Sequence, residues 1–263
     1  LGVLPNNLVP GKVLLTGEGT LRLQNSIGKG ELFNLNFNKY QRQTTTLKAK
    51  FSYPYLLSQP FGIDLNFELY KHDTSWLDLT RDAGFSYLFS HNNHLEAFVN
   101  NQSSVLLSFD SAKIISTKTL PPIIDIAKNF YGLSYVFNNL NYIFNPRTGN
   151  DFSITASIGK RRVKKNPAIT QLHDPLNPNY DFNVLYDSLK LNSIQYKFLL
   201  NAAHYFPLKK NSSLKFAVSS SALVSKNIFQ NEELRIGGYH LLRGFDEESV
   251  PCTFYAVGTT EYH

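Results

Sequence analysis

Three stretches of this chain alternate apolar and polar residues almost without error. That period of two restricts the fold to half-buried β-strands more tightly than any other feature. In ELFNLNFNKY, Phe33, Leu35 and Phe37 take one face while Asn34, Asn36 and Asn38 take the other. FGIDLNFELY sets Phe61, Ile63, Leu65, Phe67 and Leu69 against Gly62, Asp64, Asn66 and Glu68. DFSITASIG sets Phe152, Ile154, Ala156 and Ile158 against Asp151, Ser153, Thr155 and Ser157. Weaker alternation covers residues 13–24, 45–53, 77–89, 95–107, 130–141, 193–205, 214–224 and 254–262, for about eleven strands in all.

SIGKG (Ser26 to Gly30) and NPRTGN (Asn145 to Asn150) carry the Gly, Pro and Asn of tight turns, so most strands are expected to pair as hairpins. Two longer connections, 163–192 and 227–253, interrupt that rhythm. No helix start signal followed by helical periodicity, no repeat and no linker is found, which predicts one all-β domain over residues 1–263.

Alternation does not say which face is inside, because a barrel with its apolar face in lipid writes the same pattern as a soluble β-sandwich. No stretch approaches the roughly 18 to 20 apolar residues of a spanning helix, but a spanning strand needs only about 9 to 11. Polar faces rich in Asn, Ser and Thr suit a wet lumen, and the strands are long for a sandwich. Tyr53, Tyr55, Tyr70, Trp76, Tyr142, Phe144, Tyr205 and Phe206 fall near strand ends, where membrane barrels carry aromatic girdles.

Chemistry is sparsely written. The net charge of +6 comes from basic residues scattered along the chain, apart from Lys160, Arg161, Arg162, Lys164 and Lys165. That distribution reads as a solvated face and not as a nucleic-acid surface. The single cysteine, Cys252, excludes an internal disulfide framework. The seven histidines, at 72, 91, 94, 173, 204, 240 and 263, come without HExxH, paired Cys or an acid-rich calcium loop, and are expected as loop residues on a solvated surface, with no metal site. GEGTL, at Gly17, lacks the strand-then-helix setting of a phosphate loop, and no GxSxG appears. No enzyme activity and no cofactor are expected.

GGYHLLRGFDEESV (Gly237 to Val250) is the charge-dense exception. An arginine on a loop over a barrel mouth faces water or reaches into the lumen toward a carboxylate. There, Gly244 allows a sharp turn beside Arg243, and Phe245 offers an apolar anchor.

LLRGF (Leu241 to Phe245), followed by the strand YAVGTTEY (Tyr255 to Tyr262), resembles the signature loop of the BamA/TamA outer-membrane assembly family, which includes two-partner secretion transporters. NPRTGN before Asp151 and SYPYLL before Phe61 are also similar to turns of these barrels. The resemblance implies that Arg243, Gly244 and Phe245 form a tip folded into the lumen, with Glu261 as the acidic partner of Arg243. It implies an all-β fold, a transmembrane antiparallel up-and-down β-barrel, incomplete here at about eleven of about sixteen strands. No counterpart of the family's periplasmic POTRA domains is expected within 1–263, and a second acidic partner is expected beyond His263.

The location implied is the outer membrane of a Gram-negative-type bacterium. The partners implied are outer-membrane lipid, client β-barrel or secreted proteins, and periplasmic or lipoprotein accessory subunits, with no nucleic acid. The function implied is assistance in inserting or translocating other proteins, without chemistry or nucleotide, through a weakly paired seam that offers backbone groups to an incoming strand. The alternative is a passive porin-like channel for small solutes, its lumen lined by Lys48, Lys50, Asp64 and Glu68.

Overall fold

A computed structural model of the chain describes residues 2–5, 13–39, 44–72, 74–90, 93–142, 144–209, 212–238, 241–246 and 249–262. Its strands are β1 (Gly2–Pro5), β2 (Val13–Gln24), β3 (Leu32–Lys39), β4 (Thr44–Tyr53), β5 (Phe61–His72), β6 (Trp76–Ser90) and β7 (Asn93–Leu106). They continue as β8 (Ile126–Asn138), β9 (Gly149–Val163), β10 (Asn192–Lys209), β11 (Ser212–Val224), β12 (Leu234–Ile236), β13 (Val250–Cys252) and β14 (Phe254–Tyr262). Twelve of them form one antiparallel sheet in the order β1 to β11 and then β14, while β12 and β13 pair as a separate hairpin. All eleven strands expected from the alternation are present. β1 and the β12/β13 hairpin were not expected, because three or four residues are too few to display a period.

The two faces of the sheet are sorted as a membrane barrel requires. Tyr131 and Ile194, on the apolar face, are 61% and 59% exposed, whereas Gln195, beside Ile194 but pointing the other way, is fully buried. Phe85, Val99, Ile154, Phe198 and Phe216 also present their side chains to the outside. Ser86, Ser104, Lys128, Arg161 and Ser221 are buried on the polar face. A soluble barrel or sandwich would reverse this sorting, since apolar surface is the surface that leaves water. Glu68, Asp82, Asn100, Phe130, Thr155 and Lys197, from β5 to β10, converge on one cavity of about 330 Å³, so the sheet curls with its polar face inward. Lys48 and Glu68 pair across β4 and β5 on that face at 2.9 Å.

Pleat parity also corrects the expected aromatic girdle. Tyr70, Trp76 and Tyr205 share the parity of the lumen residues; Trp76 is buried and Tyr205 lines an inner cavity. Tyr142, Phe144 and Phe206 are exposed. Position near a strand end does not by itself place a ring in lipid. The one-residue alternation does.

The connections differ at the two ends of the sheet. Residues 25–31, 54–60 and 139–148 turn at one end, while 107–125, 164–191 and 225–253 emerge at the other. The first two of the long connections, with the adjoining ends of β7, β8 and β9, carry the buried apolar core, and Phe229 of the third packs against it. Leu106, Ile114, Ile124, Ile126, Val163, Ile169, Phe182 and Tyr186 pack into a single cluster over that end. Two helices contribute to it, contrary to the expectation of none. α1 (Ser111–Thr117) is capped by Asp110, whose side chain accepts from the Lys113 N–H, and α2 (Pro167–Thr170) by Asn166, which accepts from Ala168 with Pro167 opening the helix. Neither helix is long enough to repeat a 3.6-residue pattern, which is why only the caps mark them. No helix among the described residues is long and apolar enough to cross a membrane.

Candidate functional site

The connection between β11 and β14 is fixed at its root by a buried charge cluster. Phe229 and Glu232 close a turn reciprocally: the Glu232 N–H donates to the Phe229 carbonyl at 2.8 Å, and the Phe229 N–H to Glu232 Oε2 at 3.1 Å. The carboxylate thereby aimed at the wall accepts from Arg161 Nη1 of β9 at 2.9 Å and from Gln195 Nε2 of β10 at 2.8 Å, and pairs with Lys128 Nζ of β8 at 3.1 Å. Arg161 also donates to the Asn227 carbonyl and lies over the Phe229 ring. Asn231 Nδ2 donates to Ser104 Oγ of β7 at 2.7 Å and to the Ile124 carbonyl at 2.9 Å. The Arg235 guanidinium lies 5.1 Å from the centre of the Trp76 ring on β6. Trp76 also stacks on His72 at 4.1 Å, and its Nε1 donates to Asp78 Oδ2 at 3.0 Å. Residues 227–235 therefore hold five consecutive strands together from inside, β6 to β10.

From that root the chain runs along the lumen as the β12/β13 hairpin, in register from Leu234 opposite Cys252 to Ile236 opposite Val250. Its tip closes through the main chain, the Gly238 N–H donating to the Phe245 carbonyl and the Leu242 N–H to the Gly238 carbonyl, both at 3.1 Å. Gly244 sits at φ 92°, a left-handed conformation that a side chain would strain. Arg243 Nη2 then donates to Glu261 Oε1 at 3.0 Å, while Lys215 Nζ of β11 holds Oε2 of the same carboxylate at 3.0 Å. Glu261 lies seven positions along β14 from Phe254, about 23 Å at the rise of a strand. The loop thus leaves the wall at the long-connection end and meets it again near the opposite end.

Of the residues singled out in the sequence, Arg243 and Glu261 are brought together and Gly244 occupies the turn. Phe245, expected as an apolar anchor, is 54% exposed, and it is its carbonyl that closes the turn. Tyr239, His240, Glu247 and Glu248 lie outside the described residues, as do His91 and His263. His72, His94 and His204 are strand residues on β5, β7 and β10 and not loop residues; only His173, among the described histidines, lies in a connection. No group of described residues could hold a metal ion. Glu232, Arg161, Lys128, Gln195, Trp76 and Arg235 were not singled out as site residues, and Arg161 is no part of a solvated face.

The Glu232 carboxyl carries a pH dependence. Burial raises its pKa, but the Lys128 charge, the Phe229 N–H, the Gln195 amide and the Arg161 charge together hold it below the ordinary value of 4.5. A carboxyl whose folded pKa is depressed contributes stability that is full above its unfolded pKa and lost as pH falls through the folded one. The urea midpoint of the folded protein in micelles is therefore expected to fall as pH drops below about 4.5, and to fall less steeply in Glu232→Gln. Equal slopes would show that Glu232 does not carry the charge linkage.

Comparison with known proteins agrees with this architecture. The Omp85 superfamily domain matches residues 25–262. Among solved structures, the crystal structure of BamA from Haemophilus ducreyi lacking POTRA domains 1-3 superposes with a TM-score of 0.56 at 15% identity, over 89% of this chain and 43% of that one. The chain thus spans less than half the length of the solved protein it resembles. No curated protein matches it. With the domain match covering nearly the whole sheet and the lumen loop, the chain belongs to the Omp85 superfamily.

Proposed function

We propose that this sheet is part of the wall of a β-barrel in the outer membrane of a Gram-negative-type bacterium, and that the protein assists the insertion or translocation of other proteins there without catalysing a reaction. The observation that supports this reading best is the loop spanning the lumen, rooted on β6 to β10 through residues 227–235 and ending in the Arg243–Glu261 pair on β14. A client strand would then be received by main-chain pairing at a weakly paired seam. Client β-barrel or secreted proteins, and periplasmic or lipoprotein accessory subunits, are the partners this reading implies.

The test is a double-mutant cycle in the parent gene, under depletion of the wild-type copy, with the amount of folded outer-membrane proteins as readout. Arg243→Ala should lower it. Glu261→Ala should lower it at least as far, because it also removes the acceptor of Lys215. The double variant should be close to Glu261→Ala alone, since the Arg243–Glu261 pair is already lost in either single variant. Additive losses would refute the pairing as the functional unit. A large, steady conductance in planar bilayers that survives deletion of residues 239–250 would instead identify a passive channel.

A further inference from the structure

The basic run Lys160 to Lys165 is divided by the pleat. Arg161 points inward to Glu232, while Lys160 and Arg162 emerge on the outer face of β9. Lys165 approaches Asp187 at 3.9 Å within the same connection. Lys190, just before β10, is exposed beside Lys160, and no ion pair among the described residues involves Lys160, Arg162 or Lys190. Lys160 and Lys190 themselves line, with Tyr131, Ile158, Asn192 and Ile194, a shallow outward groove of about 490 Å³, and Arg162 lies one pleat beyond Lys160 on the same face of β9. Ile194 is opposite Lys160 in the ladder, and Asn192 is opposite Arg162. The outer face therefore changes from apolar to cationic within one pleat repeat, about 7 Å.

We propose that this groove binds a phosphate-bearing anionic lipid, its acyl chain along Tyr131, Ile158 and Ile194 and its headgroup phosphate between Lys160, Arg162 and Lys190. The inference rests on the outer face being clad in lipid. The charges determine the occupant: three cations without carboxylate partners among the described residues, at the edge of an apolar surface, complement an anionic headgroup and its chain, whereas a neutral lipid would leave them unneutralised. A soluble phosphate would use the cations but not the groove.

The full-length protein, purified in dodecyl maltoside micelles, is incubated with an equimolar mixture of dioleoyl phosphatidylglycerol and dioleoyl phosphatidylcholine, and retained lipid is read by native mass spectrometry. The wild type should retain phosphatidylglycerol in roughly tenfold excess. Lys160→Gln with Arg162→Gln and Lys190→Gln should bring the ratio near one. Ile194→Trp, which fills the groove and keeps the charges, should lower retention of phosphatidylglycerol. A wild-type ratio near one, an unchanged ratio in the triple variant, or complete displacement of the lipid by millimolar inorganic phosphate would overturn the proposal. Heat-modifiable migration, measured on every variant, separates loss of the site from loss of the fold. If the wild type stays soluble without detergent, the membrane reading itself fails; if it needs detergent and shows no lipid preference, only the groove assignment fails.

Discussion

Glu232→Ala is expected to destabilise the folded protein by about 3–5 kcal/mol, because it leaves two buried cations facing each other without their shared carboxylate. Arg161 is 2% exposed and Lys128 8%, so neither can turn to water without moving the wall. The loss should appear as a lower urea midpoint in micelles and as faster proteolysis within residues 225–253. A charge-free cluster, Lys128→Met with Arg161→Met and Glu232→Leu, should recover most of it, since a buried ionic group is costly mainly when broken. A single-variant effect below about 1 kcal/mol would mean that water reaches the cluster and that the loop is held elsewhere.

Trp76→Ala should cost a similar amount, about 3–5 kcal/mol, through the cavity it leaves. The ring is 4% exposed, stacked on His72 and approached by Arg235 of the loop. Trp76→Phe keeps an aromatic face for both neighbours but loses the bond to Asp78, and should cost about 1–3 kcal/mol. In a cycle with Arg235→Ala, a coupling of about 0.5–2 kcal/mol is expected for a half-buried cation over a ring. No coupling would separate the stability of β6 from the seating of the loop and would leave Glu232 as its principal anchor.

These two residues mark the limit of what the sequence made legible. The strands were readable because a period of two repeats within ten residues, and eleven of them lie where the alternation placed them. The direction of the faces was not readable from the pattern, since Ile194 and Gln195 would alternate identically in a barrel turned the other way. Arg243 and Glu261 were found because they lie 18 residues apart on a recognisable loop and strand. Glu232 has its partners 37 and 71 residues away, on β10 and β9, and an acid in a polar connection gives no sign of such distant wall residues. The basic run around Arg161 gave no sign of the cluster for a related reason: consecutive charges look alike until the pleat sends alternate ones to opposite sides.

Trp76 is the only tryptophan in the chain, and the loop's own guanidinium rests on its ring. Its indole emission is therefore an internal optical gauge of the lumen. When Arg235 lifts away, the ring exchanges a cation for water, and the spectrum of this one fluorophore changes without any attached dye. Rapid mixing with denaturant, acid or a client polypeptide would then time the departure of the loop separately from the opening of the sheet that surrounds it.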